Sequence, residues 1–349
     1  MKPDDPAVAE PTEEERAAAA SVLRMIWGIH ISRAVYVAAA LGIAELLAAG
    51  PMTDVELAQA TQSDRPSLYR VLRVLSALGV FSEGTDRSFS LTVLGDRLRA
   101  DVPASMRSWA MLVESLGGVR AFDPILETVR TGSPGFDIAQ GMPLFDFLSQ
   151  HPELETGFDA AMSERTAAFA PSVAGRYDFS SLRTVVDVGG GKGTLLASVL
   201  RAHSHLRGVL FERPTVRAEA RVVLTAAGVA DRCEIVTGDF FEGVPSGADA
   251  YMLANVLHDW DDARAAHILG NCRHAMGDGG RVLVVERLIA GNPADAVPVL
   301  LSDLNMLVFT GGQERTNAEY GRLLADAGLV LRDIHAVAAP YGIIEGVVP

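Results

Sequence analysis

The hydrophobic pattern changes character three times along the chain. From Glu13 to about Gly50, alanine and leucine dominate, turn signals are few and the pattern predicts helix. Leu23, Met25, Ile26, Ile29 and Ile31 make this stretch apolar on more than one side, so it requires burial within its domain or against a second subunit. Short elements follow. In MTDVELAQAT (52–61), Thr53 and Glu56 stand at capping-box spacing. Ser63 or Asp64 can cap RPSLYRVLRVLSALG, which has Pro66 in its first turn and Gly79 at its end. FSEGTDRSFSLT (81–92) reads as a hairpin turning at Gly84–Thr85. Two helices and a β wing in this order make a winged-helix arrangement.

Residues 101–180 are helical by period, with breaks at Gly117–Gly118, Thr131–Gly135 and His151–Pro152. Their large apolar residues include Trp109, Met111, Phe122, Phe136, Phe145, Phe147, Phe158, Met162 and Phe169. Such a layer is core, and it can also wall a pocket for a flat apolar ligand. From residue 183 apolar strands alternate with amphipathic helices, which predicts a sheet covered on both faces. The last two strands, VLRDIHAVA and YGIIEGVV, are joined by a short turn at Pro340–Tyr341 and are expected to be antiparallel. The predicted class is α/β, a doubly wound Rossmann-like sheet with an antiparallel last strand behind a mainly helical N-terminal domain. The expected division is a flexible lead-in (1–15), a winged-helix domain (16–100), a helical pocket layer (101–180) and a nucleoside-binding domain (181–349).

Composition narrows the function. Apolar residues make up 49% of 349, ample for a sizeable core. The formal charge of −14 argues against nucleic acid or an anionic membrane as the main partner. Cys233 and Cys272 make neither a disulfide framework nor a CxxC metal site, as expected of a protein in a reducing cytoplasm. The start, MKPDDPAVAEPTEEE, lacks the basic and apolar regions of a signal peptide. The longest apolar stretch, Ala34 to Gly50, is broken by Glu45 and falls short of the roughly 20 residues of a membrane span.

The candidate chemistry starts at RTVVDVGGGKGTLL (183–196). A Walker A loop needs Ser or Thr after its lysine, but Lys192 is followed by Gly193. The dinucleotide fingerprint fails where Thr194 replaces its third glycine. D-x-G-x-G-x-G fits throughout, with Asp187, Gly189, Gly191 and Gly193 at the end of the first strand of the α/β domain. Glycines let a ligand lie against the backbone. Asp187 either orients the loop or meets a cationic group, and Lys192 alone is read as a solvated surface residue. Glu212 ends the second strand, where such folds hold ribose hydroxyls. Asp239 ends the third and can accept from an adenine amino group, with Phe240 stacking on the ring. Together these residues describe an adenosine site with a cationic tail.

With these motifs the chain resembles the class I S-adenosylmethionine-dependent O-methyltransferases of the caffeate and hydroxyindole type, whose bacterial members decorate antibiotics and pigments. The resemblance runs through DVGGGKG, FERP, GDFF, NVLHDWDD, VVERLI and GGQERT and covers nearly the whole chain. It implies a homodimer through the N-terminal domain and S-adenosyl-L-methionine as methyl donor. It also implies that His258 is the base, with Glu286 and Glu314 as its carboxylate partners. Some plant relatives have lysine where Ala254 stands, so only a backbone contact to the cofactor is expected there. The acceptor is expected to be a small, apolar, aromatic molecule. Phe145, Phe158, Met162, Asp303, Asn305, Met306 and Phe309 are its candidate contacts.

Competing assignments weaken on the same residues. Asp259, Asp261 and Asp262 suggest metal ligands, yet helix capping explains the last two and no metal is expected. His267 and His274 read as packing residues. A winged-helix DNA-binding regulator is favoured by local arginines from Arg65 to Arg99 and disfavoured by the acidic whole. A methyltransferase acting on carbon or nitrogen, or a member drifted to other chemistry, stays compatible with the cofactor motifs.

Overall fold

A computed structural model describes residues 10–116, 118–277, 279–289 and 292–349. Residues 1–9 of the expected lead-in and Gly117 of the expected break lie outside these. The chain forms two compact units that divide between Met111 and Leu112.

In the first unit the long apolar stretch is not one helix. It forms Glu13–Ile26, Gly28–Ala40 and Ile43–Leu47. Gly42 supplies the second break, since its φ of +65° is a conformation glycine adopts freely. The first helix starts inside the expected lead-in because Thr12 and Glu15 make a reciprocal capping box. None of its residues is buried within the unit, and Met25 and Ile26 are 78% and 65% exposed. No single helix among the described residues is long and apolar enough to cross a membrane. The helices Asp54–Ala60 and Arg65–Ala77 begin at Thr53 and Asp64, whose side chains accept from Glu56 N and Ser67 N. Leu57, Leu68, Leu72 and Leu75 pack inward against a three-stranded sheet of order β1 (Met52–Thr53), β3 (Ser88–Leu91), β2 (Phe81–Glu83).

The second unit is built on seven strands: β4 (Thr184–Val188), β5 (Arg207–Glu212), β6 (Cys233–Thr237), β7 (Ala250–Ala254), β8 (Arg281–Arg287), β9 (Val330–Ala336) and β10 (Tyr341–Val347). Their order is β6-β5-β4-β7-β8-β10-β9. β4 to β8 pair in parallel, and β10 is antiparallel to both β8 and β9. β10 therefore inserts between β8 and the strand preceding it in sequence, an order the turn at Pro340–Tyr341 does not disclose. A separate apolar core covers each face, so the central strands are buried on both sides and read as continuous apolar runs. The chain winds outward in both directions from β4 and β7, and the crevice beyond their carboxyl ends is the topological switch point where such sheets bind ligands.

Candidate active site

The glycine loop leaves β4 at that crevice. Gly189, Gly191 and Gly193 have φ of +66°, +55° and +78°, so L side chains there would be strained. A Cβ on Gly189 would lie 3.0 Å from Val256 and 3.6 Å from Phe240, whereas one on Gly191 would meet nothing within 4 Å. The loop is thus packed on one side and open on the other. Glu212 Oε2 accepts from Gly191 N at 2.9 Å and Oε1 from Arg213 N at 2.9 Å, so the candidate ribose acid also holds the loop's shape.

Asp187 lies beneath the loop, fully buried, and neither carboxylate oxygen has a hydrogen-bond partner among the described residues. Burial, reinforced by the charge of Glu212, pushes its pKa up to about 7, against a pull downward from the Leu196 amide. The loop packs closely on this carboxyl group, since a Cβ at Gly190 would sit 2.5 Å from it. Its uncompensated charge suits a cationic ligand above. Lys192 is not solvated as expected: it is largely buried and ion-paired with Glu219. Asp239 stands two residues beyond β6 rather than at its end, exposed, with Oδ1 accepting from Phe241 N at 2.8 Å. Phe240 is half-buried and lies edge-on to Phe241 and Trp260.

The turn after β7 carries the candidate base. Asn255 has a φ of +51°, and Leu257–Asp259 form one 3-10 turn. The imidazole of His258 is buried, with Nδ1 3.1 Å from Glu314 Oε1 and 3.6 Å from Glu286 Oε2. Nε2 lies 3.7 Å from Asp259 Oδ1. The two acids do different things. Glu314 Oε1 also accepts from Ser302 Oγ at 2.7 Å and faces Arg287 Nη1 at 3.4 Å. Glu286 Oε1 accepts from the backbone N–H of Val256 and Leu257, both at 3.0 Å, and of His258 at 3.4 Å.

Electrostatics follow from this geometry. Burial alone lowers the His258 pKa, but Glu286, Asp259 and Glu314 outweigh it and raise it to about 9. Burial raises Glu314, and the bonds from His258 and Ser302 with the charge of Arg287 bring it down to about 2. Glu286 is raised, chiefly by burial. These three side chains offer metal-ligand atoms within 4.8 Å of one another. The Oε1 atoms of both acids are already engaged by N–H and O–H donors.

Other candidates divide between two aromatic groups. Phe145 stacks on Trp260 with centroids 5.7 Å apart and meets Phe158 edge-on at 6.3 Å, and Arg213 lies over its ring. Phe309 packs on Phe122 and on the buried Phe136. Met162, Asn305 and Met306 are half-buried, and Ala254 closes β7. Asp303 braces the loop that bears Glu314, because its Oδ1 accepts from Glu314 N at 2.8 Å. Asp261 is the N-cap of Asp262–Ala275, while Asp262, expected to serve that helix end too, accepts from Arg315 and Gln313. His267 and His274 bond to the carbonyls of Phe241 and Gly270. Ser302 and Trp260 join the site without a sequence signal of their own. Arg287 and Arg315, which the sequence offers as ion-pair partners for the acids beside them, join it too: Arg287 faces Glu314, and Arg315 reaches Asp262.

A glycine loop, a strand-end carboxylate and a carboxylate-flanked histidine gather at one switch point, where sheets of this kind bind nucleoside ligands. Comparison with known proteins makes this specific. Residues 122–330 match the O-methyltransferase domain family, and residues 23–101 match the O-methyltransferase dimerisation domain. The chain belongs to this family of S-adenosylmethionine-dependent O-methyltransferases and carries its homodimer-forming domain. It is 40% identical to the phenazine O-methyltransferase PhzM of Lysobacter antibioticus, over 96% of this chain and 98% of that one. It superposes on the mitomycin 7-O-methyltransferase MmcR with a TM-score of 0.91 at 40% identity, over 97% and 100% of the two chains. An O-methyltransferase from neocarzinostatin biosynthesis, solved with S-adenosyl-L-homocysteine and 1,4-dihydroxy-2-naphthoic acid, is 36% identical with a TM-score of 0.80 over 94% and 98%. An 8-amino-8-demethylriboflavin N,N-dimethyltransferase of Streptomyces davaonensis is 39% identical, over 96% and 97%.

Proposed function

We propose that the protein methylates a hydroxyl group, phenolic in character, on an aromatic small molecule of secondary metabolism in the cytoplasm, with Nε2 of His258 as the general base. The observation that carries this reading is the Nδ1 contact to Glu314 at 3.1 Å. In the neutral imidazole, an N–H at Nδ1 directed to a carboxylate leaves the lone pair on Nε2.

S-adenosyl-L-methionine, when bound, supplies an electrophilic methyl group. Gly189, Gly191, Glu212, Asp239, Phe240 and Ala254 would hold it, and the open side of Gly191 together with the unpartnered carboxylate of Asp187 suits such a cationic nucleoside. Phe145, Phe158, Met162, Asn305, Met306 and Phe309 shape the acceptor pocket, and Asp303 acts on it through the Glu314 loop. An ordinary imidazole, near pKa 6.5, lies roughly 3.5 units below a phenol near 10. Raising His258 to about 9 brings the two within roughly one unit, so the proton moves to Nε2 as the oxygen attacks with little uphill cost. Glu314 stays ionised and stabilises the imidazolium that forms. His258→Ala tests this: S-adenosyl-L-homocysteine binding by calorimetry stays within a factor of two, while turnover falls on the order of 10²-fold or more. Undiminished turnover overturns the assignment. A second reading, transfer to an aromatic amine, is supported by the N,N-dimethyltransferase relative. Matched hydroxyl and amino acceptors assayed side by side decide between them.

A further inference from the structure

Two oppositely charged side chains grip the turn that carries His258. On its amide side, Glu286 Oε1 collects the N–H groups of Val256, Leu257 and His258. On its carbonyl side stands Arg315, with 1% of its surface exposed. Its Nη1 donates to Leu257 O at 3.0 Å, its Nη2 to Trp260 O at 2.9 Å, and Nε and Nη2 both reach Asp262 Oδ1. The His258 carbonyl, which lies between these two, accepts from Gln313 N at 2.9 Å. Gly312 makes the approach possible, because a Cβ there would lie 2.0 Å from His258 O. The amides of Val256 to His258 are therefore oriented from Glu286, and the carbonyls of Leu257, His258 and Trp260 from the GGQERT loop.

We infer that Arg315 is a positioning residue for methyl transfer: with Glu286 it fixes the turn so that the His258 imidazole stays registered against Glu314, the residue preceding Arg315. The physical reason is the planar fork of the guanidinium, which bonds the carbonyls of Leu257, Trp260 and Gln313 and the Asp262 carboxylate at set angles, something a lysine ammonium cannot reproduce. A shift of about 1 Å at a reacting group costs on the order of 10²-fold in rate. The inference rests on His258 being the base, and the test separates the two.

Arg315→Lys and Asp262→Asn are compared with the wild-type holoenzyme in kcat, KM, S-adenosyl-L-homocysteine affinity and the pH dependence of kcat/KM. Asp262 lies on the surface, with 68% of its side chain exposed, so its variant tests the same clamp without emptying the interior. Expected for Arg315→Lys is a fall in kcat on the order of 10-fold or more, cofactor affinity within a factor of two, and an acid limb displaced toward lower pH. Asp262→Asn is expected to move both quantities the same way by a smaller amount. Wild-type kcat with an unmoved limb in Arg315→Lys overturns the positioning role even while His258→Ala remains inactive. A fully active His258→Ala overturns the base assignment instead. If Arg315→Lys does not fold, an Asp262→Asn enzyme with unaltered kcat and limb overturns the inference.

Discussion

Replacing Glu314 by glutamine isolates the charge behind the proposed base, His258, from its geometry. Three donors converge on one oxygen, Oε1: His258 Nδ1 at 3.1 Å, Ser302 Oγ at 2.7 Å and Arg287 Nη1 at 3.4 Å. They hold the glutamine carbonyl oxygen in the same place, so the His258 tautomer is kept while the negative charge is lost. A hydrogen bond to a charged group contributes about 1.5–3 kcal/mol, equivalent to about one to two pKa units at 1.36 kcal/mol per unit. The Glu314 side chain is fully buried, so solvent screens little of this. In the wild type, His258 near 9 is neutral in about one molecule in a hundred at pH 7, and kcat/KM rises with unit slope toward pH 9. In Glu314→Gln the limb moves down to roughly 7–8, and the plateau above it falls by about 10- to 100-fold because the imidazolium is less stabilised. The penalty is therefore large at pH 9.5 and much smaller at pH 7. The assay is S-adenosyl-L-homocysteine release from pH 6 to 10, with a phenolic acceptor and cofactor affinity measured alongside. A limb that stays in place, or a loss uniform across pH, refutes the reasoning.

Asp187→Asn removes a buried, unpartnered carboxylate. With a folded pKa raised to about 7, the wild-type group favours folding fully below its unfolded value near 3.9, and this is lost as pH rises through 7. The ligand-free variant is therefore expected to melt higher than wild type at pH 8 and equally at pH 4, while S-adenosyl-L-homocysteine raises its Tm less. Equal melting curves at pH 8 count against the raised pKa. Gly312→Ala must displace the His258 carbonyl, so turnover is expected to fall by about 10²-fold; wild-type kinetics would show that the loop yields without moving the base. Ile26→Glu places a charge on a helix that buries none of its own residues. Light scattering is expected to show monomers at concentrations where the wild type is a dimer, and an unchanged mass would assign the interface to another face.

The sequence by itself determined most of the elements and their order, because capping and periodicity are local, though not the division of the Glu13–Gly50 stretch into three helices. Thr53 and Asp64 start helices through bonds reaching three residues, and the apolar runs of β4, β7 and β8 report burial on both faces. Motif spacing described an adenosine site with a cationic tail, and the family resemblance carried by those motifs named the methyl donor and put His258 forward as the base. Tertiary structure decided what depends on distant partners. The insertion of β10 between β8 and β9 is set by which edge the last strand completes, and no turn residue encodes that. Lys192 looks solvated in sequence because Glu219, which pairs with it, stands 27 positions away; Asp262 looks like a helix cap because Arg315 is 53 positions away. The division of labour between the two acids is equally invisible in sequence: Glu314 faces the imidazole and Glu286 the backbone that bears it. The family resemblance names both as partners of His258. Their roles depend on direction in space, to within an ångström, and only packing sets that.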